Sequence, residues 1–178
     1  MKTTISIIVV FFIQSYAFTQ TIDKLDEKYG FEILKFGTSP DYYLGKLKED
    51  TTNLFKNQGI SEYTYMDSDM GYVYNVKTKK VDLTFYKNQL MNIQIEFSET
   101  FSINDYNTVL SALQKLFGDG IDCAVNNPDL SKAMGRKWTG KKVDMEIHRL
   151  FYNKTSELSG YISIHEKALE QQRKTDDF

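Results

Sequence analysis

A nine-residue segment that occurs twice constrains this chain more than any other feature. The first copy, KKVDLTFYK, covers residues 79–87, and the second, KKVDMEIHR, covers residues 141–149, at an offset of 62 residues. Four positions are identical and three others are conservative replacements. In both copies apolar residues alternate with mostly polar ones, which is the period of a β-strand with one buried face. The repeat therefore predicts two equivalent strands around which the rest of the chain can be placed.

Helical patterns at the same offset extend the repeat. Ser39 is a suitable N-cap for a first helix, and Ser102 or Asn104 can cap a second. Together with the repeated strands, the two helical patterns predict a unit of strand, helix, strand and strand that occurs twice. The first unit covers about residues 31–90 and the second about 91–166. The residues that form the two helical stripes are Leu44, Leu47, Thr51, Leu54 and Phe55, and then Tyr106, Val109, Leu110, Leu113, Leu116 and Phe117.

The other segments complete the two units. We expect the first strand at residues 31–36, a loop at 60–70 and a polar tail at 167–178. The parity of Val76 conflicts with that of Val81 across a regular hairpin, so either a β-bulge lies near the turn or the inner face is assigned wrongly. The remaining expected strands cover residues 72–76, 81–86, 91–97, 135–139, 143–151 and 158–165.

Together these elements predict an α+β fold, with one continuous antiparallel sheet and two helices packed on one of its faces. Trp138 aligns with Val76 at the repeat offset, which favours a place in the core over an exposed interface anchor. The opposite face of the sheet would be left to solvent. Its expected side chains are Asp82, Thr84, Asn92, Gln94, Asp144, Glu146, His148 and Ser163.

Residues 1–17 have the composition of a secretory signal peptide. A lysine precedes an apolar run over residues 5–13, and small residues permit cleavage after Ala17. The run is shorter than the roughly 20 residues that span a bilayer, so we expect no stable membrane insertion. Residues 18–30 would lead into a single domain at 31–166, and the protein would be exported, to the periplasm or outside the cell.

Composition narrows the classes of partner. The chain has 22 basic and 24 acidic residues and a formal net charge of −2, with both signs interspersed, which argues against nucleic acid. Cys123 is the only cysteine of the sequence, so no internal disulfide can form and the core must supply the stability.

The layout resembles known exported proteins. Gly37-Thr38-Ser39, followed by Leu44, Leu47 and a helix before a three-stranded meander, is similar to the repeat of the β-lactamase inhibitor proteins and of the outer-membrane assembly lipoproteins of the BamE type. These families work through protein–protein contact, so the resemblance implies a protein partner. The lipoproteins carry a modified cysteine that this chain lacks, and membrane anchoring therefore does not carry over.

The only two histidines lie on the hairpin of the second unit. If its strands pair so that residue numbers sum to 309, Asp144 faces His165, Glu146 faces Ser163, and His148 faces Tyr161. Acids and imidazoles in such a line could hold zinc or act as a general acid–base pair. An ordinary solvated sheet face would carry the same residues. The candidate binding residues are Asp144, Glu146, His148, Tyr161 and His165.

Two further motifs are weaker. Asp67-Ser68-Asp69 suggests calcium but lacks the remaining ligands of an EF-hand loop, so a solvated acidic loop is the better interpretation. Cys123 could be a nucleophile, but no histidine lies near it in sequence. The simpler interpretation is that Cys123 is a small buried side chain or a free thiol in a loop.

The sequence thus favours an exported, non-enzymatic module that binds a protein or a cell-envelope component on its polar, tyrosine-rich sheet face or its helix–strand loops, with no cofactor and no metal. One alternative is a metal-assisted or acid–base hydrolase that uses the His148/His165 hairpin. A structural envelope component with diffuse interactions is a third hypothesis. No catalytic motif distinguishes them.

Overall fold

A computed structural model describes residues 23–52, 58–123, 130–152 and 158–176. The predicted signal peptide lies outside the described residues. The helices are α1, described over residues 23–28, α2 (Ile103–Phe117) and α3 (Lys167–Asp176), with short 3-10 turns at Pro40–Tyr43 and Ser68–Met70. The strands are β1 (Gly30–Phe31), β2 (Leu34–Lys35), β3 (Leu47–Glu49), β4 (Ile60–Tyr65), β5 (Tyr72–Val73), β6 (Val76–Tyr86), β7 (Gln89–Phe97), β8 (Ile121–Asp122), β9 (Leu130–Thr139), β10 (Val143–Tyr152) and β11 (Leu158–Glu166).

Nine of these strands form one antiparallel sheet, so the predicted α+β class is confirmed. The spatial order is β3-β4-β6-β7-β11-β10-β9-β8, and β5 pairs with the start of β6. Strand β7 pairs with β11, which joins the hairpin of the first half to that of the second. Strands β1 and β2 form a separate two-stranded ribbon.

The β6–β7 hairpin forms as its sequence predicts. Its turn residues Lys87 and Asn88 have φ values of 48° and 62°, which suit a two-residue turn that follows the twist of the strands. Val76 and Val81 are both buried although their parities differ. Both residues lie on β6, so the expected hairpin between residues 76 and 81 is wrong. The pairing of β6 with β7 shifts register between Thr78 and Lys80, so a β-bulge is present, but within one strand.

Helix α2 is the second predicted helix and packs on the apolar face of the sheet. Ser102 is its N-cap, and a reciprocal hydrogen bond with Asp105 completes a capping box. Trp138 is 3% exposed and donates from Nε1 to the carbonyl of Gly118, 2.7 Å away, which confirms its core position. The buried side chains of α2 are Tyr106, Val109, Leu113 and Phe117.

The predicted first helix is wrong, and the tandem repeat is not confirmed. Residues 40–52 hold a 3-10 turn and the edge strand β3 instead, and Leu44 is 86% exposed. Gly45 has a φ of 79°, outside the helical range, and β3 gains backbone hydrogen bonds from β4. Leu54 and Phe55 lie outside the described residues.

Three smaller predictions also need correction. Residues 31–36 form the β1–β2 ribbon with a turn at Glu32, whose φ is 51°, and not one strand. Residues 60–65 of the expected loop form strand β4, which the pairing with β6 supports. The single strand expected at residues 72–76 is interrupted by a turn at Tyr74 and Asn75, which separates β5 from β6.

The expected polar tail contains helix α3. Its Leu169 is 8% exposed and shares a small apolar cluster with Ile60, Tyr86 and Met91. Since Tyr86 follows Phe85 of the main core along β6, this cluster lies on the sheet face opposite α2. The two larger helices therefore cover opposite faces, not one face as predicted. None of the helices in the described part of the chain has the length and apolar character needed to cross a bilayer.

Candidate functional site

The polar face of the sheet, opposite α2, carries side chains in three rows across its central strands. The predicted β10–β11 register is confirmed, because the pairs Asp144–His165, Glu146–Ser163 and His148–Tyr161 all form. The same rows continue onto β7 and β9. They are Asn92-His165-Asp144-Thr139, Gln94-Ser163-Glu146-Lys137 and Glu96-Tyr161-His148-Gly135.

A compact polar cluster forms where β9 and β10 meet the end of β8. Nε2 of His148 lies 3.0 Å from Oε2 of Glu146 and 4.0 Å from Sγ of Cys123. Nζ of Lys137 lies 2.9 Å from the other carboxylate oxygen of Glu146, Oε1. We call Cys123, Glu146 and His148 the thiol–imidazole cluster.

His148 is 3% exposed, so its predicted exposure to solvent is wrong. Its ring stacks on Tyr161, with centroids 5.0 Å apart. Gly135 permits this position, because a Cβ there would lie 2.8 Å from Nδ1 of the imidazole. The neighbouring strand and the aromatic ring thus cover a residue that alternation alone assigns to the wet face.

Asp144 is also buried, at 8% exposure, and not solvated as predicted. Three cationic or titratable groups surround its carboxylate: Nζ of Lys167 at 3.5 Å, Nζ of Lys137 at 3.6 Å and Nε2 of His165 at 3.7 Å. A buried charge requires such partners. We infer that Asp144 mainly links α3 and the neighbouring strands β9 and β11 to β10.

An open groove of ≈ 370 Å³ runs between the polar face and α3, and we call it the α3 groove. A second hollow of ≈ 220 Å³ adjoins it and shares Glu62, Thr84 and Asn92. The second hollow adds the charged residues Asp50, Lys80 and Asp82. The residues that line the α3 groove are Ile60, Glu62, Thr84, Met91, Asn92, Ser163, His165, Glu170 and Arg173.

The carboxyl groups of Glu146 and Glu170 are held in their charged forms. Burial raises the pKa of Glu146, but hydrogen bonds from His148 and Lys137 outweigh it and keep that pKa below its usual value. Burial also raises the pKa of Glu170, but the hydrogen bond with Lys174 and the nearby His165 outweigh burial, so this pKa too lies below its usual value. Burial and the charge of Glu146 raise the pKa of the Cys123 thiol, which disfavours a free thiolate nucleophile.

The structure does not bring the five predicted site residues into one centre. His165 lines the α3 groove, whereas His148 belongs to the thiol–imidazole cluster. The register separates their rows by four residues, or roughly 13 Å along the strands. One metal ion or one acid–base pair therefore cannot use both histidines.

Nζ of Lys46 lies 2.8 Å from a carboxylate oxygen of Asp67 and 3.3 Å from one of Asp69. A lysine side chain therefore occupies the Asp67-Ser68-Asp69 motif that was considered for calcium.

Sequence reasoning missed several participants. Lys137 lies in a strand that the sequence predicts, but the sequence does not show that Lys137 pairs with Glu146 across β9 and β10. Glu170 and Arg173 were assigned to the tail. Cys123 lies 25 residues from His148 along the chain, and the sequence carries no local signal of their contact.

The chain was also compared with known proteins. No family model, curated protein or solved structure matches it.

Proposed function

We propose that this chain is an exported, non-enzymatic binding module that holds a protein partner in the α3 groove. The groove combines an apolar floor, from Ile60 and Met91, with polar walls, from His165, Glu170 and Arg173. Mixed linings of this kind favour peptide-like ligands that present both apolar and charged groups.

The observation that carries this proposal is the position of Glu62. Glu62 lines both the α3 groove and the adjoining hollow. Among the described residues it has no ion-pair or hydrogen-bond partner, whereas Asp82 pairs with Lys80 at 2.8 Å and Glu170 pairs with Lys174 at 2.8 Å. A half-buried, unpaired carboxylate between two hollows favours a cationic group of the ligand.

The partner would therefore present a lysine or arginine side chain to Glu62 and an apolar side chain to Met91. Export is supported by the signal-like N-terminal sequence, and protein–protein contact is what the resemblance to the β-lactamase inhibitor and BamE-type repeats implies. Nε2 of His148 lies 4.0 Å from Sγ of Cys123, but burial and the charge of Glu146 raise the pKa of the thiol, which counts against a thiolate nucleophile. Binding without catalysis accounts for the groove more simply than hydrolysis does.

A capture experiment with matched baits tests the proposal. Wild type, Glu62→Gln and Glu99→Gln are immobilised and exposed to envelope and culture fractions; Glu99 lies outside the groove with its side chain 82% exposed. We expect one protein to bind wild type and Glu99→Gln and to bind Glu62→Gln about tenfold or more weakly, since a charge-assisted hydrogen bond is lost. High salt should weaken the wild-type complex. Equal capture by Glu62→Gln, or no specific partner in any fraction, would contradict the proposal.

The alternative, a hydrolase that uses His148 and His165 together, has less support because the two rings lie in separate clusters. A test of hydrolysis on ester and peptide substrates, with His165→Gln beside wild type, addresses it directly. Activity lost in that variant would favour the hydrolase.

A further inference from the structure

The thiol–imidazole cluster has a feature that the proposed binding function does not use. Sγ of Cys123, Nε2 of His148 and a carboxylate oxygen of Glu146 all lie within 4.8 Å of one another. In a tetrahedral zinc site with bonds of about 2.0–2.3 Å, the donor atoms are roughly 3.3–3.6 Å apart. Two of the three separations, 3.0 Å and 4.0 Å, lie on either side of that spacing, and the third is no more than 4.8 Å, so the side chains must shift to enclose an ion.

The three donors are held by the sheet. Glu146 and His148 are two residues apart on β10 and therefore point to the same face. Cys123 follows β8, and its backbone N–H donates to the carbonyl of Gly135 at 3.3 Å. Glu146 and His148 are therefore positioned in advance by their strand, and this backbone hydrogen bond holds Cys123 beside them.

Two of the required atoms, Nε2 of His148 and Oε2 of Glu146, are hydrogen-bonded to each other, so an ion that binds both takes the place of that hydrogen bond. Lys137 occupies Oε1 of Glu146 and leaves Oε2 directed at the imidazole. Tyr161 and Gly135 hold the ring of His148 on both sides. Nδ1 of this buried ring has no hydrogen-bond partner among the described residues. Coordination through Nε2 moves the ring proton to Nδ1, and ligation by Cys123 releases the thiol proton to solvent. The contacts from Lys137, Tyr161 and Gly135 are the outer contacts that orient the two β10 ligands.

From this geometry we propose that Cys123, Glu146 and His148 bind one divalent transition-metal ion of the zinc type. A thiolate and an imidazole select zinc-like ions over calcium or magnesium, which prefer oxygen donors alone. The side chain of Glu146 is 28% exposed, which gives a path from solvent and leaves a fourth position for water or a ligand group. This site is separate from the α3 groove and does not depend on the proposed binding function.

Cobalt(II) provides a direct probe because it replaces zinc and reports a thiolate ligand by a charge-transfer absorption band. The metal-free full-length chain is titrated with Co²⁺, and Zn²⁺ is then added as competitor. We expect one Co²⁺ per chain in wild type, a thiolate-to-cobalt band, and loss of that band when zinc is added.

Variants identify the ligands. Cys123→Ser should lose the band, and Glu146→Gln should weaken Co²⁺ binding by about tenfold or more. His165→Gln is the matched control, since it removes the other histidine of the polar face outside the cluster, and it should bind as wild type does. Zn²⁺ should raise the melting temperature of wild type and His165→Gln but not of Cys123→Ser.

Cys123 is only partly buried, so Cys123→Ser should fold, and its circular dichroism spectrum checks this. Equal Co²⁺ affinity of wild type and Cys123→Ser would overturn the site, as would the absence of any saturable binding by wild type. Loss of binding in His165→Gln with retention in Cys123→Ser would place the ion in the α3 groove and contradict the assignment.

Discussion

At the scale of single residues, burial and alternation do not always agree. Tyr74 lies at a turn, yet its hydroxyl is buried and has no hydrogen-bond partner among the described residues. His148 lies on the polar face, yet it is nearly inaccessible to solvent. For both residues, the observed burial leads to predictions that differ from those suggested by a turn position or by strand alternation.

Tyr74→Phe should leave the free energy of unfolding unchanged or raise it by up to about 1 kcal/mol, because an unsatisfied buried hydroxyl is removed. Urea melts at neutral pH measure this. Tyr42→Phe, at a side chain that is 68% exposed, is the control and should have no effect. A loss of more than about 1 kcal/mol in Tyr74→Phe would show that the hydroxyl has a partner.

The same hydroxyl predicts a pH dependence. Burial, and then the charge of Glu32, raise the pKa of Tyr74 from 10.0 to about 12. Because the folded pKa is raised, the stability from the neutral hydroxyl is complete below pH 10 and is lost as pH rises from about 10 to about 12. Ultraviolet titration of tyrosinate should therefore lose its highest-pH component in Tyr74→Phe. An unchanged titration curve would contradict the assignment.

His148→Ala should lower the free energy of unfolding by about 2 kcal/mol or more, since it leaves a cavity beside Tyr161 and removes a partner of the half-buried Glu146. His165→Ala is the matched change, and the loss of its partly exposed contacts with Asp144 and Glu170 should cost about 1 kcal/mol or less. Urea melts compare the two variants. Equal effects would mean that the imidazole of His148 is solvated, as alternation alone predicts.

At the scale of elements, helix α2 is determined largely by its own sequence. The apolar stripe gives it one buried face, and the capping box satisfies backbone donors at its first turn. Residues 40–52 have a comparable stripe but contain Gly45 and can pair with β4. Periodicity alone therefore does not separate a helix from an edge strand followed by a turn.

Ser102→Ala should destabilise the protein by about 1 kcal/mol, because the capping box loses its side-chain acceptor. Ser111→Ala, at an exposed position inside α2, should be neutral or slightly stabilising because alanine has the higher helix propensity. Thermal or urea melts followed by circular dichroism measure both. A loss of stability in Ser111→Ala equal to that of Ser102→Ala would show that the cap has no special role.

At the scale of the whole molecule, the β7–β11 pairing makes one sheet of the two halves. Five ladder positions join these central strands, from Asn92–His165 to Glu96–Tyr161. The edges are short, with three residues in β3 and two in β8. Short edges limit pairing with other chains.

Native-state hydrogen exchange should therefore be slowest for the amides of β7 and β11 and fastest for those of β3 and β8. Central strands are hydrogen-bonded on both sides and exchange only on global unfolding, whereas edge strands can open locally. Two separate groups of protection, one for β6–β7 and one for β9–β11, would instead indicate that the halves unfold independently.

The sequence by itself determined the strands that alternate cleanly, the helix α2 and the β10–β11 register, because hydrophobic period, capping and turn chemistry act between near neighbours. The same alternation placed Asp144, Glu146 and His148 on one face. Only the tertiary structure decided that α3 covers part of that face, that Asp144 and His148 are buried, and that Cys123 meets His148. These outcomes depend on which distant segments pack over a surface, and that choice follows from the total apolar area and charge pairing of the folded chain, which no local pattern encodes.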